Sequence, residues 1–308
     1  MSSSIHSKFG QVALIGPPNA GKSTLLNTLL GQKLAIVSPK PQTTRTQLAG
    51  ILNTDTAQIV LLDTPGVHIP RGSRLNSRLV EAAWASLSLA HAIVMVLDAP
   101  LYGKKPEILE KDLTLLIRPV ERSGLPMIIA LNKIDALPGK AALLPLMARL
   151  SAAWPDSTVV PVSATKKQGL TELIQAMTVH LPDGEPLYPE DQLSTAPVRF
   201  LAAEIIREKL FLTLSQELPY STAVAIERWQ DTPKGTSVNA VIYVARERHK
   251  GMVIGRGGKV LKDVGTKARQ EIMELAGGPV RLDLYVKVRE DWTEDEFFLN
   301  ELDEEQGT

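Results

Sequence analysis

Short apolar runs alternate with longer stretches of helical period through the first 181 residues. Val12–Ile15, Ile59–Leu62, Ile93–Leu97, Met127–Leu131 and Thr158–Val162 carry few polar interruptions. That is the pattern of strands buried on both faces of a parallel sheet. Between them Thr24–Leu30 and the stretches 77–90, 107–118, 140–153 and 169–181 read as helices, with Gly31 stopping the first. The alternation predicts an α/β domain with a mostly parallel sheet. Residues 32–46 and 67–76 have no helical period and hold Pro39, Pro41, Pro70, Arg71 and Gly72, so both are expected to be mobile loops.

The pattern changes at residue 182. Pro182, Gly184, Pro186, Pro189 and Pro197 fall among acidic residues without Lys or Arg, which predicts a partly extended linker over 182–197. A helix over 198–214 follows, with Phe200, Leu201, Ile205, Leu210 and Leu214 as its apolar face. Ser221–Trp229 and Ser237–Val244 alternate as strands around a turn containing Pro233 and Gly235. A helix, a glycine-rich turn, a second helix over 259–275 and a last strand over Asp283–Val288 complete a smaller α+β domain. The expected boundaries are 1–181, 182–197, 198–290 and an acidic tail over 291–308. In that tail Phe297, Phe298 and Leu302 suit a short amphipathic helix, disorder being the alternative.

Composition narrows the classes. At 308 residues, 44% hydrophobic and 22% charged, the chain can bury sizeable cores, more naturally two than one. With no cysteine, disulfides, thiolate zinc sites and thiol catalysis are excluded, which fits a reducing cytosol. The polar first ten residues predict no secretory signal, and no apolar run is long enough to span a bilayer. A net charge of zero conceals an asymmetry: Arg246–Arg269 holds eight basic and two acidic residues, and Glu290–Thr308 holds nine acids and no base.

Gly16-Pro17-Pro18-Asn19-Ala20-Gly21-Lys22-Ser23, between the first apolar run and the helix beginning at Thr24, fits G-x-x-x-x-G-K-[ST]. Loop N–H groups and the positive helix end can surround a phosphate chain there. Lys22 would reach the outer phosphates and the Ser23 hydroxyl would bind Mg²⁺. Gln42-Thr43-Thr44-Arg45 offers hydroxyls to the same ion, Thr44 being the chosen ligand. The second apolar run ends in Asp63-Thr64-Pro65-Gly66, which puts a carboxylate at the crevice end of a parallel sheet. Asp63 can hold a metal-bound water, and the Gly66 N–H can meet a terminal phosphate. Asn132-Lys133-Ile134-Asp135 ends a later run. An aspartate accepts from both guanine donors, N1–H and the exocyclic amine, whereas with adenine a buried Asp135 would stay unpaired. The Lys133 stem can cover the base face, and backbone N–H groups of Ser163-Ala164-Thr165 can reach the guanine carbonyl. Lys22, Thr44 and Gly66 are the candidates for catalysis, which would be electrostatic. Each short motif alone is commonly a turn, but the four occur in order, each at a strand end.

Together they resemble the translation-factor-related class of P-loop GTPases, over residues 10–181. Where the Ras pattern has a water-orienting glutamine, this chain has Val67. The resemblance places it among GTPases with a hydrophobic residue there. Several of these position K⁺ with a phosphate-loop asparagine, the place of Asn19, so K⁺ is a further candidate cofactor beside GTP, GDP and Mg²⁺.

In the second domain, Ile254-Gly255-Arg256-Gly257-Gly258 fits I-G-x-x-G between helices, flanked by Lys250, Lys259 and Lys262. The GxxG loop of a KH module clamps a single-stranded nucleic-acid backbone, and the element order matches the type II KH arrangement. A GTPase domain followed by one such domain resembles the Era family of bacterial GTPases over nearly the whole chain. Further matches are Glu204–Leu210 and Glu217–Ser221. The resemblance implies maturation of the small ribosomal subunit, a grip on the 3′ end of 16S ribosomal RNA, a link to cell-cycle progression and loose inner-membrane association; a monomer in the cytoplasm is expected. Two other readings stand beside it: an RNA-binding assembly factor whose hydrolysis is incidental, and a membrane-surface regulatory GTPase linked to cell-cycle control.

Overall fold

A computed structural model describes residues 8–38, 40, 44–67 and 74–305. Gln42, Thr43 and residues 68–73, which the sequence assigns to mobile loops, lie outside the described residues. The chain divides into two compact units. In described residues, the first takes 8–35, 44–67 and 76–195, and the second takes 36–38, 40, 74–75 and 196–305.

The first unit is a six-stranded sheet in the order β2-β3-β1-β4-β5-β6. Its strands are β1 (Lys8–Ile15), β2 (Leu48–Asn53), β3 (Ala57–Asp63), β4 (Ala92–Asp98), β5 (Met127–Asn132) and β6 (Thr158–Pro161). All neighbours run parallel except the β2–β3 pair. Val12–Ile15, Ile93–Leu97 and Ile128–Leu131 are fully buried, because helices cover both faces of the central strands. These helices are α1 (Lys22–Leu30), α2 (Arg74–Ala85), α3 (Ala99–Lys104), α4 (Pro106–Ser123), α5 (Leu144–Ala153) and α6 (Leu170–Val179). Leu109, Leu113, Leu116 and Val120 of α4 recur at helical spacing and join Ile93, Met95 and Ile129 in one core. Each such side chain contributes about 1.5–3 kcal/mol when buried. The β1, β3, β4 and β5 carboxyl ends carry the phosphate loop, Asp63, Asp98 and Asn132 respectively.

Residues 182–194 are not a free connector, for they lie along the β2–β3 side of this sheet. Leu193 O accepts from Ile51 N (2.8 Å), Ser194 Oγ donates to Ala49 O (2.6 Å), and Tyr188 O accepts from Gln58 Nε2 (2.8 Å).

In the second unit, β7 (Thr222–Thr232), β8 (Gly235–Val244) and β9 (Val280–Val288) form a sheet in the order β7-β8-β9. The β7–β8 pair is antiparallel and β9 runs parallel to β8. One face packs on α7 (Val198–Thr213), α8 (Glu247–Ile254) and α9 (Lys259–Ala276), through Ile206, Leu210, Val253, Val264, Ala268 and Ile272. On the other face, Ala223 and Ala225 pack against Trp292 and against Phe298, Leu299 and Leu302 of α10 (Glu296–Glu305). The tail therefore forms the amphipathic helix, with one change from the sequence expectation. Phe297 is 87% exposed, and Leu299 shares the buried face instead.

Candidate nucleotide site and nucleic-acid interface

The phosphate loop leaves β1 at Ile15 and turns into α1. Gly21, at φ 96°, precedes the helix, and a Cβ there would come within 2.4 Å of Asn132 Nδ2. Among the described residues no side chain caps the start of α1, which leaves its first N–H groups to a ligand, as an anion site needs. Lys22 Nζ donates to Gly16 O (2.9 Å) and Pro17 O (3.0 Å), folding the lysine back over the loop. Asn19 has left-handed backbone (φ 63°), and Ala20 N donates to Pro17 O.

Ser23, Thr44 and Asp63 converge. Ser23 Oγ donates to Asp63 Oδ2 (2.7 Å) and lies 2.8 Å from Thr44 Oγ1, which is 3.2 Å from the same carboxylate oxygen. Asp63 is fully buried, and among the described residues its Oδ1 has no hydrogen-bond partner. Burial holds the Asp63 carboxyl above its usual range, while Lys22, Ser23, Thr44 and the Thr64 N–H oppose the shift. Burial likewise pushes the Lys22 ammonium down to about 8, against the pull of Asp63. Two buried groups short of counter-charge suit a ligand that brings both signs: phosphates for Lys22 and a hard cation for the oxygen set. The donor set therefore fits Mg²⁺. Among the described residues no group of three His, Cys, Asp or Glu could hold a metal, so these hydroxyls are essential to that fit.

Thr64 Oγ1 donates to Leu14 O (2.7 Å), locking the β3 exit onto β1. After Pro65, Gly66 lies so close to the loop that a Cβ would come within 2.7 Å of Pro18 Cα. Val67 N donates to Gly16 O (3.0 Å), and the Val67 side chain is buried in the core beside Ile15 and Ala83.

At the base end, Asn132 Nδ2 donates to Ala20 O (2.9 Å), and Asn132 Oδ1 accepts from Lys133 N and Ala164 N. Asp135 is exposed, and its carboxylate is oriented by Ser163 Oγ (2.6 Å) and Thr165 Oγ1 (3.4 Å). The expectation from sequence directs the Ser163 and Ala164 N–H groups at a guanine carbonyl. Here the Ser163 N–H goes to Gln168 O (3.0 Å), because residues 163–168 close a tight bridge. The Ala164 N–H goes to Asn132 Oδ1 (3.1 Å). Thr165, expected from the sequence to offer only a backbone N–H, contributes an orienting hydroxyl.

In the second unit, Gly255, Gly257 and Gly258 all have positive φ (72°, 62° and 74°), so the turn from α8 to α9 is one that glycine permits. Arg256, Lys259 and Lys262 are exposed, and Lys250 and Ile254 are partly covered. A cavity of about 390 Å³ begins at Gly258 and runs between α9 and β9. Leu261, Leu282 and Leu284 give it apolar walls, with Lys262, Arg269 and Asp283 among its lining. Apolar walls beside cations suit a nucleobase packed on aliphatic surface with its phosphate at the basic rim. Leu261, Arg269 and Asp283 were missed in the sequence, although 258, 261, 262, 265 and 269 fall on one helical face.

A 50S ribosome-binding GTPase family model matches residues 11–133, and a KH domain model matches residues 217–293. GTPase Era of Nitratidesulfovibrio vulgaris (strain DP4) is 53% identical over 95% of this chain and 96% of its own length. GTPase Era of Bordetella pertussis is 41% identical over 95% and 96%. Two solved structures superpose with a TM-score of 0.90 at 39% identity. One is an Aquifex aeolicus Era variant bound to GDP·AlF4⁻, covering 95% of this chain and 98% of that one. The other is Era in complex with MgGDPNP and nucleotides 1506–1542 of 16S ribosomal RNA, covering 96% and 98%.

Proposed function

The chain belongs to the Era family of GTPases, and from that premise we propose that it hydrolyses GTP with Mg²⁺ and grips the 3′ end of 16S ribosomal RNA during small-subunit maturation. The observation that carries the nucleotide half is the Ser23–Thr44–Asp63 cluster beside buried Lys22. Ser23 and Thr44 would hold the metal, and Asp63 would hold one of its waters. A bound Mg²⁺ supplies charge neutralisation to the outer phosphate oxygens. Lys22 and the loop N–H groups orient the phosphates, and the Gly66 N–H meets the terminal one. Asp135 accepts from guanine's two donors while Ser163 fixes its carboxylate, and the Lys133 stem lies on the base face. Among the described residues no side chain in reach suits a general base, and positioning plus charge neutralisation is the chemistry phosphoryl transfer needs.

The RNA half is supported by the GxxG turn, its exposed cations and the cavity between α9 and β9, together with the RNA complex of the 39%-identical Era structure. Among the described residues no helix is long and apolar enough to cross a membrane. The purified chain is expected to turn over GTP but not ATP when Mg²⁺ is supplied. It should also bind a 16S 3′-terminal oligonucleotide, measured by single-turnover hydrolysis and filter binding. Hydrolysis of ATP at the GTP rate would refute the guanine site. Failure to bind that RNA would refute the ribosomal role.

A further inference from the structure

Parallel pairing of β4 with β5 sets Asp98 directly beside Asn132 at the carboxyl edge of the sheet. Next to Asn132, Lys133 has left-handed backbone (φ 66°), and its N–H is held by Asn132 Oδ1 at 2.8 Å. Lys133 Nζ is gripped at two points: Asp98 Oδ2 at 2.6 Å and Asn19 O in the phosphate loop at 2.6 Å. The carboxylate is itself fixed, because Asp98 Oδ1 caps α3 by accepting from Leu101 N (3.0 Å). The Asp98 side chain is 16% exposed and that of Lys133 38%. The lysine stem passes the loop glycine: a Cβ at Gly21 would lie 3.9 Å from Lys133 Cε.

We propose that Asp98 is a positioning residue of the guanine site, clamping the Lys133 ammonium against the phosphate loop so that the lysine stem lies where the base stacks. This rests on the reading above that Lys133 covers the base. A lysine stem is a flexible cover, and held only at Asn19 O it keeps several rotamers that base binding must remove. A fixed carboxylate removes them beforehand, so the effect belongs to nucleotide retention. An exposed ion pair contributes little on average. This one differs because the carboxylate is mostly covered and capped, and the ammonium has a second fixed acceptor.

The test uses the full chain and the Asp98→Asn, Lys133→Ala and doubly substituted variants. The readouts are the dissociation rate of a fluorescent GDP analogue and the Tm of the nucleotide-free protein. Asparagine caps a helix about as well as aspartate, so Asp98→Asn should leave the Tm within about 2 °C of the parent while discarding the charge. GDP release should quicken about five- to tenfold, the low end for a charge-assisted contact. Asp98→Ser, another uncharged cap, should do the same if Asp98→Asn folds poorly. The double variant should release GDP no faster than Lys133→Ala alone, because Asp98 acts only through that lysine. A parental rate in both Asp98 variants beside a fast Lys133→Ala would overturn this proposal alone, as would factors that multiply in the double variant. A parental rate in Lys133→Ala would overturn the placement of Lys133 on the base, and the role of Asp98 with it.

Discussion

Asp135 shows how a single carboxylate can choose a base. It stands exposed at the crevice mouth with Ser163 Oγ holding one oxygen at 2.6 Å, so its orientation exists before any ligand arrives. Asp135→Asn should weaken GTP and favour xanthosine triphosphate, whose 2-oxo group accepts from the amide. Each lost hydrogen bond to the charged group is worth about 1.5–3 kcal/mol. Competitive titration with the two nucleotides measures the exchange, and unchanged GTP affinity would remove the guanine assignment. Val67 presents the opposite case, a side chain buried in the core with no polar atom to offer an attacking water. Hydrolysis by the isolated chain should therefore be slow, on the order of the unassisted Ras rate. If Asn19 holds a monovalent cation, K⁺ should accelerate turnover over Na⁺ and Asn19→Ala should abolish the difference, while equal rates in the two salts would leave Asn19 as a loop brace. These residues were legible because their motifs are contiguous. Asp98 was not, because its partner Lys133 lies across a strand pairing that no local pattern reveals.

At the scale of elements, the buried parallel strands read directly from their apolar runs, and the missed elements share a cause. Gly50 interrupts the apolar run of β2, yet it is what lets α1 pack there, since a Cβ would come within 2.7 Å of Leu30 Cδ1. Pro100 and Gly103 look like helix breakers in α3, but proline is tolerated in a first turn and Asp98 caps that turn. Residues 182–194 carry linker chemistry, and only the fold shows Gln58 Oε1 accepting from Leu187 N and Tyr188 N at 2.8 and 2.9 Å. The position of α10 follows from its cap. Asp295 Oδ1 accepts from Phe298 N, while Oδ2 pairs with Arg289, whose guanidinium sits 4.0 Å over the Phe298 ring. Arg289 and the Phe298 N–H hold the Asp295 carboxyl below its usual value. A depressed carboxylate pKa means that the unfolded chain binds the proton more readily. The contribution to α10 docking is therefore full above the unfolded value near 3.8 and is lost as pH falls through the lower folded value. The protection factors of the Leu299 and Leu302 amides should fall in that window, and Asp295→Ala should show the lowered protection already at pH 7. Equal protection in the variant at pH 7 would mean that apolar packing alone holds the helix.

Across the whole molecule, the nucleotide residues fall in the first unit and the GxxG residues in the second. The first unit follows from strand–loop–helix grammar that any P-loop sheet obeys. The second was legible mainly in its glycines and its local charge, because the walls of its cavity come from one face of α9 and from β9, which only the packing of that helix on the sheet brings together. In the function proposed above, one chain joins a guanine-nucleotide site to an RNA grip made by the GxxG turn. Replacing exposed Arg256 and Gly257 with aspartate tests it most directly. The change puts two negative charges beside the RNA backbone and removes one positive charge. Gly257 has φ 62°, and a Cβ there would meet none of the described residues within 4 Å. Aspartate is among the residues that tolerate such backbone, so the turn should survive. The measurement is filter binding of a short single-stranded RNA over a salt series, with GDP binding recorded on the same preparation. The parent should lose affinity steeply with salt, with a log–log slope of about −0.7 per phosphate contact. The double variant should bind RNA more weakly at every salt concentration and bind GDP as the parent does. RNA affinity equal to the parent's, with GDP binding intact, would contradict the claim and leave the glycine turn a structural corner.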